Sequence, residues 1–454
     1  MTLRNLWAGA AVALAAGTAL AAVTADEAKQ LGTTLTATGG ERAGNADKSI
    51  PDYSGGLTTP PADYKKGSGI RPDPYAADKP LFSIKAADVS KYEAKLTAGT
   101  KELLKRNAAT MRVDVYPSHR STAYPKFVID NTLKNATSVK TTDGGLGLEG
   151  TYAGIPFPIP KTGNEVMWNH LLRYNGQSYF TKYDSVNVDG AGKAVLATSG
   201  EIYVEYPYYD AKRTGVSADN DIYFRTKIAY TAPARRAGEA LLLQDYINPM
   251  KNGRKGWQYL PGQRRVKLAP DIAYDTPNPG SAGTSTYDEA WVFNGAMDRF
   301  DWKLVGKREM IIPYNAFKLV FAKDPFAATT PSHLNPDFVR WEQHRVWVVE
   351  ATLKADKRHI YAKRVFYIDE DSWVAVASDQ YDARGALFRS GFVYTNPSYD
   401  VSATATTGQS FHDFVTGGYN ITGLLGAYDV GLKFVEPQSA SAWTADALAG
   451  AGVR

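Results

Sequence analysis

Six histidines are the first residues to weigh, because imidazole serves both metal binding and proton transfer: His119, His170, His333, His344, His359 and His412. None lies in H-E-x-x-H and no two are spaced i, i+4, so no metal site is legible and they read as surface or packed residues. The 454 residues include no cysteine, which excludes disulfides, thiolate catalysis, thiolate metal sites and lipid attachment through an N-terminal cysteine. The nucleophile elbow G-x-S-x-G and the phosphate loop G-x-x-x-x-G-K-[ST] are both missing from the sequence. Glycosidase chemistry needs only two carboxylates at the right separation, and Asp369-Glu370-Asp371 is the densest acidic run. It falls between two strand patterns, where acids serve as solvated turn formers, and a turn is what we expect there. Gly145-Leu146-Gly147-Leu148-Glu149-Gly150 matches G-x-G-x-x-G, yet the following Thr151-Tyr152-Ala153-Gly154-Ile155-Pro156 cannot open the helix a dinucleotide needs, so a flexible loop is expected. The sequence thus assigns no catalytic residue, no cofactor and no metal.

What remains is binding. Lysine plus arginine (52) exceeds aspartate plus glutamate (47) by five, without a basic stripe, which argues against nucleic acid as a partner. Aromatic residues set in strand patterns are the candidates for a greasy lining: Trp257, Tyr259, Trp291, Phe293, Trp302, Trp347 and Phe366. Arg364 stands in the middle of the face formed by Ile360, Ala362, Phe366 and Ile368. An inward guanidinium could meet a carboxylate or phosphate head group, or pair with a neighbouring acid, the commoner fate of a buried charge.

The elements that must hold these residues are strands. From Met111 onward β-branched and aromatic residues recur with period two between clusters of Gly, Pro, Asn and Asp. In residues 221–231, Ile222, Phe224, Thr226, Ile228 and Tyr230 fall on one face and Tyr223, Arg225, Lys227 and Ala229 on the other. Similar runs cover 166–174, 179–188, 201–209, 239–247, 256–260, 302–312, 339–353, 359–368, 373–381, 386–394 and 410–415. Short connections make neighbours in sequence antiparallel hairpins, and a sheet this wide must twist and curl into a concave trough. One helix is expected at 89–107, where Tyr92, Leu96, Leu103 and Leu104 recur at helical intervals. The organisation reads as a leader (1–21), an irregular proline- and glycine-rich arm (22–85), an antiparallel β domain (86–437) and an Ala/Gly/Ser-rich tail (438–454) in which a short helix can form around Trp443 to Leu448. Ile50, Tyr53, Leu57, Tyr64 and Tyr75 are spaced along the arm as anchors that would dock it on the body.

The leader has the layout of a secretory signal peptide: Arg4, an apolar stretch from Leu6 to Leu20, and Ala19-Leu20-Ala21 before Thr24-Ala25-Asp26-Glu27. The expected location is the periplasm, with attachment to the outer membrane as the variant. Runs such as Gly40-Glu41-Arg42-Ala43-Gly44-Asn45-Ala46-Asp47, Ile50-Pro51-Asp52-Tyr53-Ser54-Gly55-Gly56-Leu57, Trp257-Gln258-Tyr259-Leu260-Pro261-Gly262, Arg345-Val346-Trp347-Val348-Val349-Glu350-Ala351 and Ile360-Tyr361-Ala362-Lys363-Arg364-Val365-Phe366-Tyr367-Ile368-Asp369 carry a resemblance. The chain resembles a family of secreted Gram-negative proteins of unknown function (domain of unknown function 1329), itself similar to the outer-membrane lipoprotein-sorting proteins LolA and LolB. The resemblance implies a mainly β fold, a large curved antiparallel sheet forming an open half-barrel with a few short helices around an apolar cavity that accepts acyl chains. It also implies a partner in an envelope transport system, an inner-membrane transporter or an outer-membrane component.

Three functional readings follow. The leading one is a non-enzymatic periplasmic carrier or sensor, monomeric, that binds a lipid or other hydrophobic small molecule. The second is an outer-membrane β-barrel, against which the mid-strand cations Lys363 and Arg364 argue. The third is a periplasmic hydrolase whose carboxylate site leaves no local motif.

Overall fold

The computed structural model describes residues 23–269, 272 and 274–451; the leader expected at 1–21 lies outside the described residues. Sixteen strands form one sheet, almost wholly antiparallel, with a small separate hairpin at its side. Two sequence-local meanders build it. One runs through Ser178–Val188, Ala194–Glu205, Ile222–Ala232, Ala240–Tyr246, Lys255–Leu260 and Arg265–Leu268; the other through Trp341–Leu353, Lys363–Asp369, Ala375–Tyr381, Leu387–Ser398, Ala403–Asp413 and Tyr419–Leu424. They are stitched where the last strand of the second lies antiparallel to the first strand of the first, Tyr419 opposite Val188 and Ile421 opposite Val186. Phe300–Pro313 adds a long antiparallel partner to Trp341–Leu353, and among the described residues the only parallel pairing within this sheet is Trp341 beside Val115.

Among the described residues the sheet ends on Phe82–Ile84 at one side and Arg265–Leu268 at the other, and these two do not pair. It is therefore open, and the closed cylinder that an outer-membrane barrel requires is not formed. Both edge strands are short and the second carries Arg265 and Lys267, which blunts them against edge-to-edge association.

Helices correct the sequence reading in three places. Residues 166–174, expected as a strand, lie mostly in the helix Gly163–Leu171. Its start is a capping box, in which Thr162 Oγ1 accepts the Glu165 N–H and Glu165 accepts the Thr162 N–H. Its residues are buried on every side, so it shows no amphipathic period and reads like a short buried strand. Lys126–Ser138 is a second helix within the stretch read as strands, opening after Pro125. The helix expected at 89–107 divides into a 3-10 run, Ala86–Lys95, and an α-helix, Ala98–Arg106, because Leu96 is extended and Thr97 caps the second piece. The Ala98 and Gly99 N–H groups donate to the Asp379 carboxylate at 2.9 and 2.8 Å. Only glycine allows that approach, since a Cβ at position 99 would sit 1.9 Å from Ser390 Oγ. The glycine-rich run at 145–150 is no long loop: Gly147–Glu149 pairs with Lys140–Thr142 as the separate hairpin.

The arm lies against the body at points that include four of its apolar residues. Ile50 is buried, Tyr53 Oη donates to the Thr122 carbonyl at 2.8 Å, Tyr64 Oη to Asp400 at 2.6 Å, and Tyr75 stacks on His119 with ring centroids 4.0 Å apart. At the other end, helix Ala445–Ala451 and Trp443 cover the convex face of the first meander, where Ala240, Leu242 and Tyr259 form a second small core.

Candidate ligand-binding site

The first meander and the last strands of the second curl around a cavity of ≈ 150 Å³. Alternation dictates its wall: Phe224, Thr226, Ile228 and Tyr230, the face read from period two in 221–231, all line it. Leu241 and Leu243 continue that wall, Tyr179 and Tyr183 line it from Ser178–Val188, and Phe411 with Leu425 comes from the second meander. Gly423 lies in the seam at φ 79°, where any Cβ would meet the Thr407 carbonyl oxygen at 1.8 Å. The roof is the irregular segment 278–294, which contributes Tyr287, Ala290 and Trp291.

Polar side chains are interleaved with this wall, among them Thr181, Thr198, Thr226, Asn278, Gln409 and Asn420, and Thr407 Oγ1 and Asn420 Oδ1 have no partner among the described residues. Arg254 sits at the rim, in a two-bond pair with Asp245 at 2.7 and 2.8 Å, and donates to the Asn294 carbonyl at 2.5 Å. Burial opposes the Arg254 charge, but the Asp245 carboxylate outweighs it and raises the guanidinium pKa. The same arginine borders a second cavity of ≈ 250 Å³, against Trp168, Tyr223, Tyr246 and Met297, so the Arg254–Asp245 pair stands between the two. Burial raises the phenols of Tyr183, Tyr230 and Tyr287, which keeps them neutral within the apolar wall.

Of the aromatic residues singled out from the sequence, Trp291 lines the cavity. Phe293, Trp302 and Phe366 instead pack on one another with centroids 5.1 to 5.7 Å apart, and Arg364 lies 5.3 Å from the Phe293 ring and 5.0 Å from that of Phe366. Arg364 takes the pairing that buried charges usually take: Nη1 donates to Asp288 at 2.8 Å and Nη2 to the Val292 carbonyl at 3.2 Å. Against the penalty of burial, Arg364 and His359 hold the Asp288 carboxyl well below the usual range. Trp347 stacks on Trp373 at 6.3 Å, and Trp257 with Tyr259 belongs to the convex-face core beneath the tail. The structure thus packs Phe293, Trp302, Arg364 and Phe366 on one another, places Trp291 on the cavity and Trp347 on Trp373 within the same core, and sets Trp257 and Tyr259 in the separate small core.

Residues that the sequence reading passed over include Arg173 and the Arg254–Asp245 pair. Their signal was a charge inside an apolar run, Arg173 after Val166–Leu172 and Asp245 after Leu241-Leu242-Leu243.

The acidic run Asp369-Glu370-Asp371 corrects the expectation of a solvated turn, for all three residues are buried. The arm crosses over them: the Trp373 indole donates to the Thr38 carbonyl at 2.9 Å and the Glu41 N–H to Glu370 at 3.1 Å. Arg120 grips Asp371 with bonds of 2.8 and 2.6 Å, and Lys307 donates to Glu370 at 2.7 Å. Among the described residues, His344, Asp369 and Asp371 form a group with metal-like spacing, one donor atom of each lying within 4.8 Å of the others. Glu342 already holds His344 Nε2 at 3.0 Å and Arg120 both oxygens of Asp371, while Asp369 accepts from Tyr314 and Ser372 through one oxygen, and the arm is tied beside this group by the Glu41–Glu370 and Thr38–Trp373 bonds.

The family model described as a protein of unknown function (DUF1329) matches residues 83–449. An uncharacterized protein of Pseudomonas aeruginosa is 40% identical over 447 residues, which cover 98% of this chain and 97% of that protein. Among solved structures, a putative outer membrane lipoprotein-sorting protein domain from Vibrio parahaemolyticus is similar with a TM-score of 0.43 and 15% identity, over 63% of this chain and 97% of that one. A DUF1329 family protein from Desulfovibrio piger has a TM-score of 0.40 and 16% identity over 60% of this chain and 91% of that one. A LolA superfamily protein from Nitrosomonas europaea has a TM-score of 0.38 and 12% identity over 63% of this chain and all of that one (100%). With a family model matching most of its length and a relative this similar end to end, the chain belongs to the DUF1329 family of proteins of unknown function.

Proposed function

We propose that this protein is a periplasmic carrier or sensor of a hydrophobic small molecule, whose apolar end enters the cavity beneath Trp291. The observation that carries this reading is the cavity itself: ≈ 150 Å³ of space under aromatic and aliphatic side chains at the centre of a curled sheet, where close packing would otherwise leave none. A cavity of about that volume accommodates a benzene-sized guest in other proteins. Six methylenes buried at about 0.8 kcal/mol each supply about 5 kcal/mol before the costs of immobilisation, so a guest held by its apolar part alone is held weakly. The leader of residues 1–21 supports export, and the resemblance to lipoprotein-sorting proteins points to the same class of cargo.

The test is native mass spectrometry of protein recovered from its own periplasm, followed by titration with short-chain fluorescent fatty-acid probes. The expected result is a co-purifying apolar species and a probe that Thr226→Trp, which fills the cavity, excludes by about tenfold or more without unfolding the chain. An empty protein that no probe enters would overturn the reading.

A further inference from the structure

Arg173 follows the helix Gly163–Leu171 and is 2% exposed. The other buried arginines near the concave face have acids: Arg364 has Asp288, Arg254 has Asp245 and Arg389 has Asp413. Arg173 forms no salt bridge among the described residues. Nη1 donates to the His170 carbonyl at 2.7 Å, Nε meets the Asn175 side-chain oxygen at 3.2 Å once that amide is oriented to suit its neighbours, and Nη2 has no partner. A buried cation without a counter-ion is costly, and proteins rarely keep one without a use for it.

Its position suggests the use. The guanidinium carbon lies 5.1 Å from the centroid of the Trp291 ring, and Trp291 lines the cavity. Trp291 and Val292 both occupy the left-handed region, at φ 52° and 59°, which is costly for a tryptophan and more so for a β-branched valine. The indole that separates cavity from cation therefore rides on strained backbone, held in part by the bond from the Trp291 N–H to Gln409 Oε1 at 2.5 Å. Displacing the indole joins the apolar cavity to an unpaired positive charge.

We propose that Arg173 seats the acidic head of the ligand, so that the cargo is an anionic amphiphile: a short apolar body in the cavity and a carboxylate or equivalent anion on the guanidinium, with Trp291 as the movable partition. This rests on the cavity being the ligand site. Arg364, for which the sequence offered either a ligand head group or a neighbouring acid, has the acid, Asp288.

The experiment is calorimetric titration of the full chain with hexanoate, hexanol and methyl hexanoate, on the natural protein and on Arg173→Met, with thermal melts of both. A charge-assisted bond predicts hexanoate binding about ten- to a hundredfold more tightly than either neutral analogue, a preference that Arg173→Met abolishes. It also predicts that unliganded Arg173→Met melts at or above the natural protein, since an uncompensated charge has been removed. Equal binding of all three compounds would overturn the anion seat and leave the cavity reading standing. Binding of none would overturn both. A lower melting temperature for Arg173→Met would mark the arginine as structural and overturn the proposal.

Discussion

At the scale of single residues, the buried histidines tie stability to acidity. His412 packs flat on Tyr419, with centroids 5.1 Å apart, and edge-on to Phe392. Burial, and then the charge of nearby His333, push its pKa down to about 3 from the ordinary 6.5. The unfolded chain takes up a proton near pH 6.5 and the folded chain does not until near pH 3, so the unfolded state binds more protons throughout that window. The contribution of His412 to stability is whole above the unfolded pKa and falls by about 1.4 kcal/mol per pH unit as the solution is acidified toward 3. Denaturant unfolding at pH 6, 5 and 4 checks this. His412→Phe, which keeps the stack on Tyr419, is expected to lose about one proton's worth of that slope, and an unchanged slope would show that His412 does not stay neutral in the fold. His170 acts in the same direction, its pKa held far down by burial and then by Arg173.

At the scale of elements, the face pattern was legible where one side of a strand is buried and the other meets water or long polar stems. Ile222–Ala232 is the clear case: Phe224, Thr226, Ile228 and Tyr230 line the cavity, and Arg225 and Lys227 on the opposite side lay their charged ends 4.6 Å from the Trp443 ring centroid. What was not legible is what covers a face. Gly163–Leu171 is buried all round, so its period disappeared and only the Thr162/Glu165 capping box marked it as helix. Asp369-Glu370-Asp371 has the composition of a wet turn, and nothing local announces an arm arriving from some 330 positions away, the separation between Glu41 and Glu370. Trp443 tests the cover on the convex face. Trp443→Ala removes the ring from Leu242, Tyr259, Arg225 and Lys227, at a cost of about 3 kcal/mol, within the range for emptying a buried tryptophan site. That loss should stay local: hydrogen exchange is expected to accelerate in residues 439–451 and at the strands they cover, with the global unfolding midpoint nearly unchanged. A large drop in the midpoint would instead make the tail part of the main cooperative unit.

At the scale of the whole molecule, the trough expected from a wide ribbon of hairpins is present, but its interior is divided. Around Arg364 it is filled by Phe293, Phe300, Trp302 and Phe366, and the open volume lies farther along, under residues 278–294. The sequence carries the number and handedness of local hairpins through its turns, whereas the seam between the meanders joins positions such as Val188 and Tyr419 that no local pattern links. A chain ending after Leu387–Ser398 would retain every hairpin of the first meander, yet lack Phe411, Gly423 and Leu425 from the cavity wall. We expect such a truncation to expose the Ser178–Val188 edge, bind the dye ANS and take up no fatty-acid probe; recovery of probe binding would show that the first meander makes the site alone.

That seam also orders events in time. If export delivers the chain with its amino end leading, the strand at 178–188 must wait with a bare edge through more than half of the polypeptide before its neighbour arrives. On the carrier reading proposed above, loading of cargo is then deferred until assembly is nearly done, and an unfinished copy does not compete for it: possession of a guest becomes a certificate that the whole chain has come through.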